Sequence, residues 1–432
     1  MFRKSNNVDH TSTPLSVTSF RAPARLCPPG QAVRTGHSSP NKFDGQAGEE
    51  SRNRRIEDLY LTLRNLMFGC LRYFTKTYTQ NDLSGASFKN ILVIRLDRIG
   101  DMVMTTPIFR ALKEKWPDAQ ITVLANPENK NIVINNPFID CILVYDRENK
   151  HKSLNSRLSF FNDVRKRGFD LVIDSYLDYE LNTAIITRFV GCRYRLGFEF
   201  AGRGIFYNIR HPSNIFPVPA DKKHMIGYNI DLIGCIGVKA DKKQPEIFLS
   251  ADEKENASRL LEKYGVNTDN GIVGIHPGGN YESQRWPVER FAAISDYLIA
   301  SYGAKIILFG GRDERSLISR FKDCAVRKPI IPEGLNLREF ISVVSHCNLF
   351  LCNNSGPLHI ATALNIPTVS TMGPTVPFHW WPCGDNHIVL RKDLDCSPCK
   401  KGICETHECM ELITADDFLA AVETQLKRLK IL

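Results

Sequence analysis

Twice along this chain, short apolar runs rich in β-branched residues alternate with longer segments of helical periodicity. That alternation restricts the fold more than any other feature. The first round comprises ILVIRL (91–96), the helical TTPIFRALKEKW, then ITVLAN, CILVYD, a helix around FFNDVRKRG, and DLVIDS (170–175). Strands this apolar are buried on both faces, which calls for parallel sheets with helices on either side. The second round opens with the helical DEKENASRLLEKYG and GIVGIHPGG (271–279). It continues through ERFAAISDYLIASYG, KIILFGG, ERSLISRFKD, LFLCNN, PLHIATALN and IPTVSTMGP (366–374). The pattern predicts an α/β protein of two doubly wound, Rossmann-like domains, 86–245 and 246–432, with carboxyl strand ends facing a central cleft. The boundary is placed near Pro245, after the helical YNIDLIGCIG and the Lys-rich KADKKQPEIFL.

Residues 1–54 are rich in Pro, Ser, Gly, Asn and Arg and lack apolar periodicity, so a disordered basic tail is expected there. In RIEDLYLTLRNLMFGCLRYFTKTY, Leu and aromatic residues recur at helical spacing between basic ones, predicting an amphipathic helix and linker over 55–85. Such a helix suits an anionic membrane surface or the domain behind it. A net charge of +9 over 432 residues points to an acidic partner, or only to a solvated basic surface. No apolar run approaches the roughly eighteen residues of a spanning helix, and the N-terminus lacks the apolar core of a signal peptide. Cys141, Cys192, Cys235, Cys347 and Cys352 lie in apolar runs, as reduced, buried thiols of a cytoplasmic protein would.

Three stretches of the second half end a strand in a small or polar turn and then open a helix. GIHPGGNYESQRWPVERF supplies His276, Gly278, Gly279 and Arg285; ILFGGRDERS supplies Glu314; LCNNSGPLHIATAL supplies Asn354, Ser355, Gly356 and His359. Ser355 stands as an N-cap with Pro357 near the first helical position, leaving the N–H groups of residues 356–359, Pro357 excepted, at a helix start. Such amides bind phosphate, and glycine lets it approach. Arg285 suits a diphosphate, and Glu314 suits ribose hydroxyls. Each turn alone would equally close an ordinary strand–helix connection. In the first half, IRLDRIGDMVMTTP places Asp101 where it could cap a helix or act as a base, with Gly100 leaving room for a substrate. There is no GxGxxG after ILVIRL, no Walker-type phosphate loop and no GxSxG elbow, which disfavours dinucleotide dehydrogenases, P-loop NTPases and serine hydrolases.

In their order, IRLDRIGDMVMTTPIFRALK, HPGGNYESQRWPVERF, LFGGRDE, NNSGPLHIATAL and MGPT resemble the successive motifs of glycosyltransferase family 9, the ADP-heptose:lipopolysaccharide heptosyltransferases, over residues 88–426. The resemblance implies a GT-B fold, with acceptor bound by the N-terminal domain and nucleotide sugar by the C-terminal one. It also implies inversion at the anomeric carbon, no catalytic metal and no cofactor, an ADP-sugar serving as co-substrate. Asp101 matches the family's general base and Arg285 its basic residue beside the diphosphate. Glu314 matches the acid on the ribose, and Ser355, Gly356 and His359 match the loop around the phosphates. Asn354 stands where the family has an Asp near the sugar. The implied acceptor is a lipopolysaccharide core or lipid-linked sugar at the inner membrane, with peripheral contact to an anionic surface and no nucleic acid. An epimerase or transferase for another nucleotide sugar, or a non-catalytic nucleotide-sugar-binding protein, would carry the same cradles. In DCSPCKKGICETHEC, the close spacing of Cys396, Cys399, Cys404 and Cys409 permits a structural zinc site, a disulfide staple or reduced thiols.

Overall fold

The computed structural model describes residues 76–429 apart from 179, 201, 213–221, 268–270 and 400, together with 60, 63, 64, 67 and 68. The expected tail over 1–54, and most of the helix expected ahead of residue 76, lie outside the described residues. The five early residues that are described are helical.

The first sheet has six parallel strands in the order β3-β2-β1-β4-β5-β6. They are β1 (Asn90–Ile94), β2 (Gln120–Ala125), β3 (Cys141–Val144), β4 (Leu171–Asp174), β5 (Tyr194–Glu199) and β6 (Ile209–Pro212). In β1 the two-residue period sorts side chains cleanly. Ile91 and Val93 join the core beneath α1 (Ile99–Lys115), whereas Leu92 and Ile94 join the opposite core beneath α2 (Leu154–Lys166) and α3 (Asn182–Phe189). Burial on both faces is what the unbroken apolar run predicted.

Two strands lie beyond the first round of apolar alternation, which ends at DLVIDS (170–175), and both reach into FEFAGRGIFYNIRHP (198–212). That stretch contains the end of β5, a 3-10 turn (Arg203–Phe206) and β6. Arg203, Gly202 and Gly204 interrupt the apolar pattern, yet Arg203 is fully buried and paired with Asp174 at the end of β4, 2.8 Å away. Gly197 is there for space: a Cβ would lie 2.4 Å from the Tyr207 ring.

The second sheet has five parallel strands, β11-β10-β9-β7-β8: β7 (Ile272–His276), β8 (Lys305–Leu308), β9 (Leu349–Asn353), β10 (Thr368–Thr371) and β11 (His387–Leu390). Val273 and Ile275 face one core, with α4 (Val288–Tyr302) and α6 (Ala415–Arg428). Ile272, Phe350 and Cys352 face the other, beneath α5 (Gly356–Ala363).

Strand order fixes where a site can lie. In each sheet the chain winds outward from a central strand and then reverses, leaving a crevice at the carboxyl ends of the two strands flanking the switch. These are β1 and β4 in the first sheet and β7 and β9 in the second.

Candidate active site

The loop leaving β1 carries Arg95, Asp97 and Arg98 into the first turn of α1, where Asp101 sits. Arg98 occupies the N-cap position and no side chain caps this helix. Asp101 therefore does not cap it; its Oδ1 accepts from Arg95 Nη2 at 2.9 Å. Arg95 is 1% exposed, and its Nε lies 2.8 Å from Asp97 Oδ1. One buried guanidinium thus serves two carboxylates. Burial pushes Asp97 up to about 8, the Asp101 charge adding to the rise and Arg95 opposing it. Arg95 also donates to the Ser175 carbonyl beyond β4, joining both sides of the switch.

These residues form one wall of a cavity of about 570 Å³ between the two sheets, with Tyr176 and Glu180 beside them. The other wall is made by Tyr281, Gln284, Thr375, Trp380 and Lys401. Arg98 spans the gap, donating to the Tyr281 hydroxyl at 2.9 Å.

The residues expected to hold the donor gather at the β7–β9 switch, and of the expected set Asp101 alone lines the cavity just described. Arg285 donates from Nε and Nη2 to the Gly279 carbonyl, at 3.1 and 2.9 Å. His276 Nε2 lies 3.2 Å from Glu314 Oε2, and the same oxygen accepts from the Gly311 amide at 2.8 Å. Burial disfavours the ionised Glu314, but His276, the Gly311 amide and Arg285 together hold it down at about 2. Gly278, expected to admit a phosphate, instead makes room for Glu314: a Cβ there would fall 1.7 Å from Oε1.

At β9, the Asn353 side chain accepts from the Trp286 amide and donates to the carbonyls of Pro277 and Gly278, tying the two turns together. Asn354 donates to the Trp380 carbonyl at 3.1 Å, a bond that an ionised Asp could not make. Ser355 is the N-cap of α5, as expected, but its hydroxyl makes no cap bond. The helix-start amides are therefore not occupied by that side chain.

His359 is fully buried, and burial, with His224 adding, pushes its imidazole down to about 3. It is neutral near pH 7 and brings no positive charge to a phosphate. It fills the space beside Gly100, where a Cβ would come within 3.2 Å of its ring. The room expected at Gly100 is thus used for packing α1 against α5.

Among the described residues, no group of three or more His, Cys, Asp or Glu side chains is arranged to hold a metal ion. The described cysteines, Cys396, Cys399, Cys404 and Cys409 included, are free thiols. Burial, with the neighbouring Cys399, Cys404 and Cys396 adding, pushes the Cys409 thiol up to about 11. Cys409 is buried beside Gly373 and Met410, whereas Cys396 is exposed. The loop they punctuate braces the cleft: Ser283 donates to the Lys401 carbonyl, and His407 Nε2 contacts the Ser283 carbonyl at 3.0 Å.

Sequence reading passed over Arg95, Asp97, Arg98, Tyr281 and Lys401. The first three stand inside IRLDRIGD, where a basic residue continuing an apolar strand is itself a signal of burial against acids.

Two doubly wound units meeting across a cleft, with a carboxylate on one wall and helix-start turns at the facing switch, make up a GT-B fold. The match to a family model narrows the class. Residues 157–409 fit glycosyltransferase family 9 (heptosyltransferase), and the chain belongs to that family. It is similar to lipopolysaccharide heptosyltransferase 3 of Escherichia coli, with 25% identity over 336 residues, 76% of this chain and 96% of the relative. Lipooligosaccharide heptosyltransferase 2 of Haemophilus influenzae is 24% identical over 319 residues, 70% of this chain and 88% of the relative. In fold it is similar to the family 9 glycosyltransferase of Veillonella parvula, with TM-score 0.69, 24% identity, and 79% and 98% of the two chains covered. The corresponding values for E. coli ADP-heptose lipopolysaccharide heptosyltransferase II are 0.63, 21%, 78% and 99%.

Proposed function

We propose that this enzyme transfers a heptose, with inversion, from an ADP-activated donor to a sugar of a lipopolysaccharide core. The observation that carries the reading is Asp101: a carboxylate at the switch point of the acceptor-side sheet, held by Arg95 and open to the cleft. In the proposed step Asp101 takes the proton of the acceptor hydroxyl as its oxygen attacks the anomeric carbon, and the diphosphate departs on the opposite face. The α5 amides and Arg285 stabilise the departing charge, and Glu314 orients the ribose. A second carboxylate is unnecessary because the diphosphate leaves without protonation. The names of the relatives, which specify lipopolysaccharide and ADP-heptose, support the substrate assignment.

Peripheral membrane contact fits the helical residues ahead of the first sheet. Arg64 and Phe68 seat this segment on Gly202 and Phe206, while Tyr60, Leu63 and Met67 are each 57% exposed. No described helix is long and apolar enough to cross a membrane.

The decisive measurement is Asp101→Asn with ADP-heptose and a truncated core acceptor. Transfer should fall about a thousandfold while ADP binding stays within about twofold. Transfer at the native rate would remove Asp101 from the role of base.

A further inference from the structure

The first sheet carries a second concavity beside the cleft, a groove of about 740 Å³ between α2 and α3. Leu158 and Phe161 of α2 face Ile186 and Phe189 of α3 across it, with Tyr145 among its lining. Four large apolar side chains on these two helices are exposed: Leu154 by 68%, Leu158 by 48%, Ile185 by 37% and Phe189 by 54%. Such clustering on one face marks a binding surface more often than chance exposure does. Basic Arg147 and Arg157 are outnumbered in the lining by Asp97, Glu128, Asp146, Glu148 and Glu180, so the groove has no net attraction for a polyanion. Asp97, Tyr176 and Glu180 line both this groove and the cleft that contains Asp101. The two spaces are one continuous surface.

We propose that the α2–α3 groove binds the aliphatic lipid portion of the acceptor, so that the sugar attached to it projects past Asp97 toward Asp101. The inference rests on the reading of the cleft as a site of transfer to a lipid-linked sugar, and names where that lipid goes. Apolar contact would add affinity at up to about fourfold for each fully buried methylene. Because the groove is remote from the bond being made, that gain belongs to acceptor binding and not to the chemical step.

The test uses the full-length chain and a series of acceptor glycosides with one sugar and methyl, hexyl or dodecyl aglycones, below their micellar concentrations. A parallel titration follows binding of a dansyl-labelled undecyl chain by fluorescence. The expected result is a KM that falls with chain length at constant kcat, and saturable probe binding. Leu158→Glu and Phe189→Glu should each weaken probe binding about tenfold and flatten the dependence on chain length. Leu412→Glu, at a 49% exposed apolar residue outside the groove, should alter neither. A KM indifferent to chain length, or a dependence that survives both groove substitutions, overturns the proposal. So does a concentration-dependent dimer dissolved by Leu158→Glu, which would assign the groove to a second copy. Probe binding that depends on Leu158 while no glycoside is glycosylated tells against the transfer reading and leaves the groove an apolar-chain site.

Discussion

At the scale of single residues, the site is governed by how charge is shared in a buried place. Arg95 carries one positive charge against Asp97 and Asp101, and burial leaves Asp97 with an affinity for protons raised to about 8 from an ordinary value near 4. Its folded form therefore binds a proton that the unfolded chain releases. The associated stability is fully present below about pH 4 and is lost as pH rises toward 8. Asp97→Asn keeps the neutral shape, so its urea midpoint relative to the native chain should improve steadily between about pH 5 and 8. A pH-independent difference would show that Asp97 is ionised throughout. Glu314 has the opposite sign. Held at about 2, it contributes stability above its ordinary range near 4.5 that is lost as pH falls toward 2. Glu314→Gln should therefore cost stability at neutral pH and close the gap in acid, as followed by urea unfolding. The sequence reading took in Asp101 and Glu314 but passed over Asp97 and Arg95. A basic residue continuing an apolar strand hinted at burial, yet which acids Arg95 meets is settled only when the loop after β1 folds back on the first turn of α1.

At the scale of elements, the segment bearing Arg285 depends on its neighbour. Trp286 is 1% exposed, donates its indole N–H to the Ile413 carbonyl at 2.8 Å and stacks on Phe418 of α6 at 4.6 Å. Trp286→Ala should destabilise the second sheet's unit by about 3–5 kcal/mol, read by urea denaturation, and loosen the turn that carries Arg285. Arg203 does similar work in the first unit, donating to Asp174, to Tyr207 and to the Asp178 carbonyl, and so fixes the loop that walls the cleft. Elements built on plain apolar periodicity, such as β1, β2, β7 and β9, were legible. β5 and β6 were not, since their stability comes from a buried ion pair and from Tyr207 packed over Gly197. Both hold together residues distant in the sequence. Likewise, Gly100 and Gly278 looked like openings for substrate, whereas His359 and Glu314 take up those spaces.

At the scale of the whole molecule, the two units are joined by the packing of α1 against α5 at Gly100 and His359, by Arg338 on the Asn131 carbonyl, His224 on the Trp381 carbonyl and His379 on the Lys223 carbonyl, and at the cleft itself by Arg98 and Tyr281. The last is a single hydrogen bond with the guanidinium 5.5 Å from the ring centre. Its share in holding the cleft closed can be read by removing the hydroxyl. Tyr281→Phe removes the hydroxyl acceptor; a contact of about 1 kcal/mol corresponds to roughly a fivefold shift in the balance between closed and open forms. If ADP release limits turnover, kcat should rise by up to that factor, with weaker ADP retention in stopped-flow displacement; unchanged release would exclude the latch. In the proposed reaction the Arg98–Tyr281 bond would then act as a timer, strong enough to favour the closed cleft during transfer and weak enough to let it open again within a catalytic cycle.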